Sequence, residues 1–311
     1  INQYAYATLK LREDTKVILH SIDLDQNETF ESLEDIKLGG PLSLLKAISL
    51  RLAKPMTTGF ELTTECNVPP RSGLGSSAAV FCAGIGVFNH LAGEHRLSLF
   101  ETAEMAYQIE RVDLENLGGR QDQIATVFGG LNYTEFFANG LSRVEPVPVN
   151  HHVREELSES IVLFHVGARG DSGSVIEDQA KNVGGGKESA LDAMHKAKVL
   201  AHAMKQALLG NNLGLFGELL HESWQAKKAF SDKISNPFLD KVYETARNNH
   251  AIGGKVSGAG GGGHMFFIVK PGYRNQLIKA VSNLGCTYVP CQIEWNGLRT
   301  WEVPLYHAIE S

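Results

Sequence analysis

The sequence predicts an α+β protein built in two lobes. Its 311 residues are 43% hydrophobic, which is enough to bury one large core or two moderate ones. Strand patterns and helix patterns mix along the chain without the strict alternation of a βαβ protein. A polar, turn-rich stretch at residues 138–160 predicts the boundary, so we expect lobes at residues 1–150 and 151–311.

The first half shows strand, helix and strand patterns in turn. The alternating segments INQYAYATLKLRED and TKVILHSIDLDQNETF predict two strands paired across a charged turn. Residues 41–53 carry leucine and isoleucine at helical spacing after a proline, and GFELTTECNVPP reads as a strand. A helix is predicted from about Ser98 to Glu115, and GGLNYTEFF returns to strand.

The second half begins with SIVLFHVGARG, which predicts a buried strand. A long helix should follow and stop at Gly210, because apolar residues recur on one face. Further helices are predicted over GLFGELLHESWQAKKAF, NPFLDKVYETARNNHA and YRNQLIKAVSNLG, and GGKVSGAGGGGHMFFIV reads as a loop followed by a strand. The predicted buried face of the long helix consists of Leu191, Met194, Ala197, Leu200, Met204 and Leu208.

Composition excludes several classes of partner. A net charge of −6 without any basic run argues against a nucleic-acid binder. No apolar stretch reaches the roughly 20 residues that span a bilayer, and no signal peptide is evident. The four cysteines lack Cys-x-x-Cys spacing, which favours reduced thiols and a cytoplasmic location. A metal held by Cys286 and Cys291 is the alternative, and it lacks a matching second pair of ligands.

The segment VPPRSGLGSSAAVFCAGIGVF contains two prolines, which restrict the backbone, then a loop of small residues, and then the start of an apolar helix. Small residues let a backbone wrap around an anion, and the unpaired amides and dipole of a helix N-terminus favour phosphate. The segment is not a Walker loop, because GxxxxGK[ST] is absent, and it lacks the third glycine of a dinucleotide fingerprint. The alternative is a tight connection that binds nothing, in which the serines only cap the helix.

A second glycine run, KVSGAGGGGH, has five glycines between Gly258 and Gly263, directly before the apolar strand MFFIV. Glycine clusters inside a packed domain usually serve close approach of a ligand or another part of the chain. A flexible linker is the alternative.

The segment IERVDLENLGGRQDQIATVFGG contributes two carboxylates, Glu110 and Asp122. Carboxylates in such positions can hold Mg²⁺ or accept a proton from a hydroxyl group. Alternatively, Glu110 is a solvated helix charge and Asp122 is a helix N-cap.

In this order the three segments resemble the GHMP kinase superfamily. PPRSGLGSSAA is similar to its phosphate-loop motif, KVSGAGGGG to its C-terminal glycine motif, and GGRQDQ to the sugar-kinase version of its catalytic-aspartate segment. Four segments are most similar to the members that phosphorylate D-glycero-D-manno-heptose 7-phosphate at the anomeric position: INQYAYATL, GGRQDQIATVFGGLNYTEF, LLHESWQAKKAFSDKISNPFLDKVYE and GGKVSGAGGGGHMFFIV. Fucokinase-like and galactokinase-like members share the Gln-Asp-Gln element.

The resemblance implies a two-lobed fold, with an N-terminal lobe like ribosomal protein S5 and a C-terminal ferredoxin-like lobe. It implies an ATP- and Mg²⁺-dependent sugar kinase that forms heptose 1,7-bisphosphate for nucleotide-activated heptose and surface glycan synthesis, acting as a monomer or homodimer. Asp122 would be catalytic, and Ser77 with Glu110 would hold Mg²⁺. The implied nucleotide-binding residues are Pro70, Ser72, Gly73, Leu74, Gly75, Ser76, Ser77, Ala78, Gly258, Ala259, Gly260 and Gly261.

Two departures from the family pattern stand out. The family's first motif, which carries an arginine, glycines and an aspartate, should precede INQYAYATL; we expect that it was lost from this chain, and a shortened, inactive relative is the alternative. His264 stands where the sugar-kinase group tends to carry an apolar aromatic residue, which we interpret as tuning of the loop. Candidates for binding the 7-phosphate of the substrate are Arg120, Arg169 and Lys227.

Three other functions stay open from the sequence. One is an anomeric kinase for fucose or galactose, and another is an inactive member of the fold that binds ligand as a sensor. The third is a nicotinamide-dependent dehydrogenase, which needs an acidic residue about 20 positions past the glycine loop. Glu94 lies near that distance, but its surroundings do not resemble a strand end.

Overall fold

The computed structural model describes residues 1–93, 96–168 and 172–304. Within them the chain forms two four-stranded sheets and one two-stranded hairpin. The strands are β1 (Ala5–Leu11), β2 (Val17–Ser21), β3 (Gln26–Phe30), β4 (Phe60–Cys66), β5 (Asn132–Phe136), β6 (Ser142–Pro146), β7 (Ile161–His165), β8 (Ala251–Val256), β9 (His264–Val269) and β10 (Thr287–Val289). The helices are α1 (Ser43–Leu52), α2 (Ser76–Leu91), α3 (Leu99–Tyr107), α4 (Gln121–Phe128), α5 (His151–Ser160), α6 (Ser172–Gly184), α7 (Glu188–Leu209), α8 (Leu213–Lys228), α9 (Pro237–Asn248) and α10 (Arg274–Ser282).

The N-terminal sheet has the order β1-β4-β2-β3, so the predicted pairing of β1 with β2 is wrong. Strand β4 lies between them, antiparallel to β1 and parallel to β2, with Leu62 opposite both Leu9 and Leu19. Leu19 and Leu62 are fully buried and pack in one core with α1 and α2, so pairing follows burial and not the short turn between β1 and β2.

Helices α2, α3 and α4 bring the candidate site residues together. Helix α2 carries no charged side chain and is buried along most of its length, as its apolar sequence predicts. The helix predicted from about Ser98 to Glu115 is present as α3, which begins at a capping box formed by Ser98 and Glu101, and it continues as a π-helical turn over Gln108–Asp113. π-Helical turns are rare and are frequently found at functional sites, and this one contains Glu110.

The predicted boundary segment 138–160 is largely ordered structure, with β6 and α5 inside it. Val147 and Val149 from this segment share a core with Leu163 of β7. The division at residue 150 therefore stays a prediction.

The C-terminal sheet is antiparallel, with the order β10-β7-β9-β8. One face packs in a core that includes residues of α9 and α10, and the other packs with residues that include Leu74 and Leu131 from the first half of the chain. Strand β8 extends to Val256, inside the segment that was predicted as a loop. The prediction was wrong there because the two glycines of the strand, Gly253 and Gly254, interrupt the apolar alternation that indicates a strand.

Helix α7 forms and ends before Gly210 as predicted, but its predicted buried face is partly wrong. Leu191 and Met194 are 37% and 47% exposed, whereas Ala190 and Ala193 are buried.

The end of the described chain returns to the first half. The amide of Gly130 donates to the carbonyl of Glu294 at 2.8 Å, and the amide of Leu298 donates to the carbonyl of Val127 at 3.0 Å. Residues 292–304 thus pack beside α2 and α4. Within the described ranges, the model contains no helix that is both long and apolar enough to span a bilayer.

Candidate functional site

The glycine loop forms the entrance of α2, as predicted. Gly73 and Gly75 have φ of +80° and +74°, a backbone region that L side chains rarely adopt, and Gly75 is the N-cap of the helix. The first helical hydrogen bond runs from the amide of Ala79 to the carbonyl of Gly75 at 3.0 Å. Within the described part of the chain, the three preceding amides, of Ser76, Ser77 and Ala78, have no acceptor. The loop therefore presents free N–H donors at the positive end of a helix dipole.

Asp122 lies directly beside this loop. A Cβ atom on Gly75 would be 3.6 Å from the Cβ and 3.9 Å from Oδ1 of Asp122, which is ordinary van der Waals contact. Asp122 is the second residue of α4, and the N-cap is Arg120, so the alternative of Asp122 as an N-cap is wrong. Its half-buried carboxylate faces the entrance of α2.

Glu110 forms side-chain hydrogen bonds with residues of α2 and α4. It is only 3% exposed, so it is not a solvated helix charge. Its Oε1 accepts from the Ser77 hydroxyl at 2.8 Å, and its Oε2 accepts from Nε2 of Gln123 at 2.6 Å. Arg111 Nη1 lies 3.6 Å from Oε1 and partly balances the buried charge. The negative charge of Glu110 adds to burial in raising the pKa of the neighbouring thiol of Cys82.

The oxygens of Ser77 and Glu110 suit Mg²⁺. This cation prefers oxygen ligands and usually takes only one or two from protein carboxylates, with phosphates and water supplying the others. The described residues contain no group of three or more histidine, cysteine, aspartate or glutamate side chains that could hold a metal alone. Cys286 and Cys291 are buried free thiols whose pKa values burial raises.

The second glycine run adopts a conformation that requires glycine. All five glycines have positive φ, between +67° at Gly258 and +138° at Gly262. The carbonyl of Gly258 accepts from Lys227, and the carbonyl of Ala259 accepts from Gln179 at 3.2 Å. The amide of Gly261 donates to the carbonyl of Ile234 at 2.9 Å, so this part of the loop is anchored within the C-terminal half.

The end of this run contacts the first glycine loop. A Cβ on Gly263 would lie 2.3 Å from the carbonyl oxygen of Ser72, so only glycine fits. The next residue, His264, is 4% exposed, and its Nδ1 lies 2.8 Å from the same oxygen. A carbonyl can only accept, so Nδ1 carries the proton and donates. Burial lowers the pKa of His264, which favours the neutral ring.

The candidate cations for a substrate phosphate occupy different environments. Arg120 pairs with Glu104 at 3.1 Å and stacks on Tyr107 with its guanidinium carbon 3.8 Å from the ring centroid. Lys227 is bound to the second glycine run. Arg169 lies outside the described residues, as does Glu94, the acidic residue of the dehydrogenase alternative.

The role of Gln123 was not predicted from the sequence, where this residue was noted only as part of the Gln-Asp-Gln element. Consecutive side chains on a helix point about 100° apart, so one helix turn can direct Asp122 toward Gly75 and Gln123 toward Glu110. The position of Gln123 directly after Asp122 was the signal available in the sequence.

Comparison with known proteins gives two family matches. The family described as GHMP kinases N terminal domain matches residues 43–130, and the family described as GHMP kinases C terminal matches residues 203–285. The chain is 36% identical over 308 residues to the D-glycero-alpha-D-manno-heptose 7-phosphate kinase of Campylobacter jejuni, covering 97% of this chain and 89% of that protein.

Solved structures show the same fold. A D-glycero-D-manno-heptose 1-phosphate kinase from Bacteroides thetaiotaomicron aligns with a TM-score of 0.79 at 30% identity, covering 98% of this chain and 89% of that one. Lactococcus lactis galactokinase in complex with galactose aligns with a TM-score of 0.75 at 21% identity, covering 96% of this chain and 87% of that one. The second match concerns the fold alone.

Proposed function

Because this chain belongs to the GHMP kinase family, we propose that it is an ATP-dependent kinase that phosphorylates the anomeric hydroxyl of a heptose 7-phosphate. The product is the 1,7-bisphosphate. The observation that carries the proposal is the position of Asp122 beside Gly75, which puts a carboxylate next to the loop proposed to bind the phosphates.

The entrance of α2 supports binding of the nucleotide's phosphates. Free amides at Ser76, Ser77 and Ala78 can donate to phosphate oxygens, and no lysine is needed where several donors and a helix dipole converge. The further proposed contacts of Pro70, Leu74 and the second glycine run with the nucleotide stay predictions.

The chemical step requires little covalent chemistry from the protein. Asp122 accepts the proton of the anomeric hydroxyl as its oxygen bonds to the γ-phosphorus, while the bond from that phosphorus to the bridging oxygen breaks and ADP leaves. The charge that develops on the transferred group is stabilised by donors fixed before the reaction.

Ser77 and Glu110 would hold Mg²⁺, and Gln123 keeps the Glu110 carboxylate in place by donating to its second oxygen. When bound, the cation would supply positive charge that stabilises the charge developing on the phosphates. Arg111 limits the cost of burying Glu110 when the cation is absent.

The identity of the sugar rests on the relatives. The Campylobacter jejuni protein is named for a heptose carrying phosphate at position 7, and the Bacteroides thetaiotaomicron structure is named for position 1. A substrate phosphorylated at position 7 leaves the anomeric hydroxyl free to react, so the proposal commits to the 7-phosphate. A cytoplasmic location and a monomeric or homodimeric state stay predictions.

The test incubates the full chain with ATP, Mg²⁺ and one sugar at a time, and follows ³¹P NMR. We expect a new anomeric phosphate signal with heptose 7-phosphate, and little turnover with free heptose, fucose or galactose. Asp122→Asn should lower kcat by about 10² or more, because general-base catalysis contributes that much. Turnover of fucose or galactose without turnover of heptose 7-phosphate would establish the alternative anomeric kinase. Binding of a sugar or of ATP without turnover of any sugar would establish a sensor.

A further inference from the structure

His264 and Ser72 form a hydrogen bond between the two glycine loops, and this bond fixes the orientation of one peptide. The Nδ1–H of His264 donates to the carbonyl oxygen of Ser72 at 2.8 Å, in a place where His264 is 4% exposed. Such a buried donor is strongly held, because leaving either group unpaired costs more than the bond itself contributes.

The peptide that joins Ser72 to Gly73 is trans, since the described chain has no cis peptide bond. In a trans peptide the C=O and N–H groups point in opposite directions. When His264 holds the Ser72 carbonyl on the side of the C-terminal sheet, the amide of Gly73 must point away from that sheet. Among the described residues this amide has no acceptor, and Gly73 keeps the φ of +80° that only glycine adopts readily.

The surroundings leave His264 little freedom. Its carbonyl accepts from the amide of Ser257 at 2.8 Å, and its ring lies 5.1 Å from the ring of His165 across the strand pair. The amide of Gly263 donates to the carbonyl of Gly167 at 3.0 Å. The donor is therefore fixed by the C-terminal sheet, whereas the acceptor belongs to the loop that precedes α2.

We propose that His264 is a positioning residue that turns the Gly73 amide toward the triphosphate of bound ATP, adding one donor to those at the start of α2. The inference rests on the proposed function, because it assumes that this loop binds the nucleotide. It predicts that losing the donor weakens binding of the phosphates and leaves binding of the nucleoside unchanged.

The test compares His264→Phe, which removes the donor and keeps an aromatic ring, with His264→Asn, which places an N–H near the position of Nδ1. His195→Phe on the exposed face of α7 is the matched control. Calorimetry measures the Kd of a non-hydrolysable ATP analogue and of adenosine for each variant.

We expect His264→Phe to weaken binding of the analogue about tenfold or more, as for loss of a hydrogen bond to a charged group. Adenosine should bind all variants alike, and His264→Asn should bind the analogue nearly as well as the parent. Should the Phe variant fail to fold, His264→Gln, whose amide reaches one bond too far, takes its place.

Equal binding of the analogue by the parent and by every folded His264 variant would overturn this inference alone. If the parent itself does not bind the analogue, the proposed function is overturned, and this inference with it.

Discussion

The substitution Gly263→Ala tests whether close contact between the two glycine loops supports the reaction. The new Cβ would lie 2.3 Å from the Ser72 carbonyl oxygen, whereas real Cβ atoms stay beyond 3.0 Å, so the loops must separate by at least 0.7 Å. Misplacement of a site by about 1 Å can lower activity about 10²-fold. We therefore expect kcat/KM for ATP to fall by about one to two orders of magnitude.

Gly285→Ala is the matched control. Gly285 has a φ of +88°, close to the +81° of Gly263, but a Cβ there meets nothing within 4 Å. Both variants should lose about 1–2 kcal/mol from the left-handed backbone alone, measured by urea unfolding. Only Gly263→Ala should lose activity, measured by ADP release at matched folded fractions. Equal kcat/KM for the two variants would refute the coupling of the loops.

Three further predictions concern other parts of the molecule. Glu110→Gln should raise the Mg²⁺ concentration needed for half-maximal turnover and lower kcat, measured by Mg²⁺ titration; an unchanged Mg²⁺ dependence would remove Glu110 from the cation site. Because burial lowers the pKa of His264 below its ordinary 6.5, the neutral ring contributes stability above that pH, which is lost as the pH falls toward the lower folded pKa. His264→Asn should thus reduce the loss of urea stability between neutral and mildly acidic pH, and an unchanged pH dependence would contradict this. Leu298→Ala should lower the free energy of unfolding by about 1–2 kcal/mol, because Leu298 packs over Gly86 of α2 and is half-buried. No change in the urea midpoint would show that the C-terminal segment contributes little to stability.

The sequence predicted the elements whose causes are local. The bare loop before Ser76 and the apolar run of α2 each encode their structure within a few residues, and both appear where expected. Strand pairing depends on residues far apart in the chain, so the insertion of β4 between β1 and β2 could not be derived from alternation alone.

The candidate site divides in the same way. Glu110 was identifiable as a carboxylate at the end of a predicted helix and Asp122 as one after a glycine turn, but the bonds of Glu110 to Ser77 and Gln123 need three separate segments to meet. His264 and Ser72 are 192 positions apart in the sequence, and no local pattern predicts the hydrogen bond between them.

A crystal structure of the chain with a non-hydrolysable ATP analogue would show whether the entrance of α2 binds the triphosphate. We expect phosphate oxygens within hydrogen-bond distance of the amides of Ser76, Ser77 and Ala78, with the Gly73 amide turned toward them. Phosphates bound elsewhere, with these amides still facing solvent, would contradict this expectation.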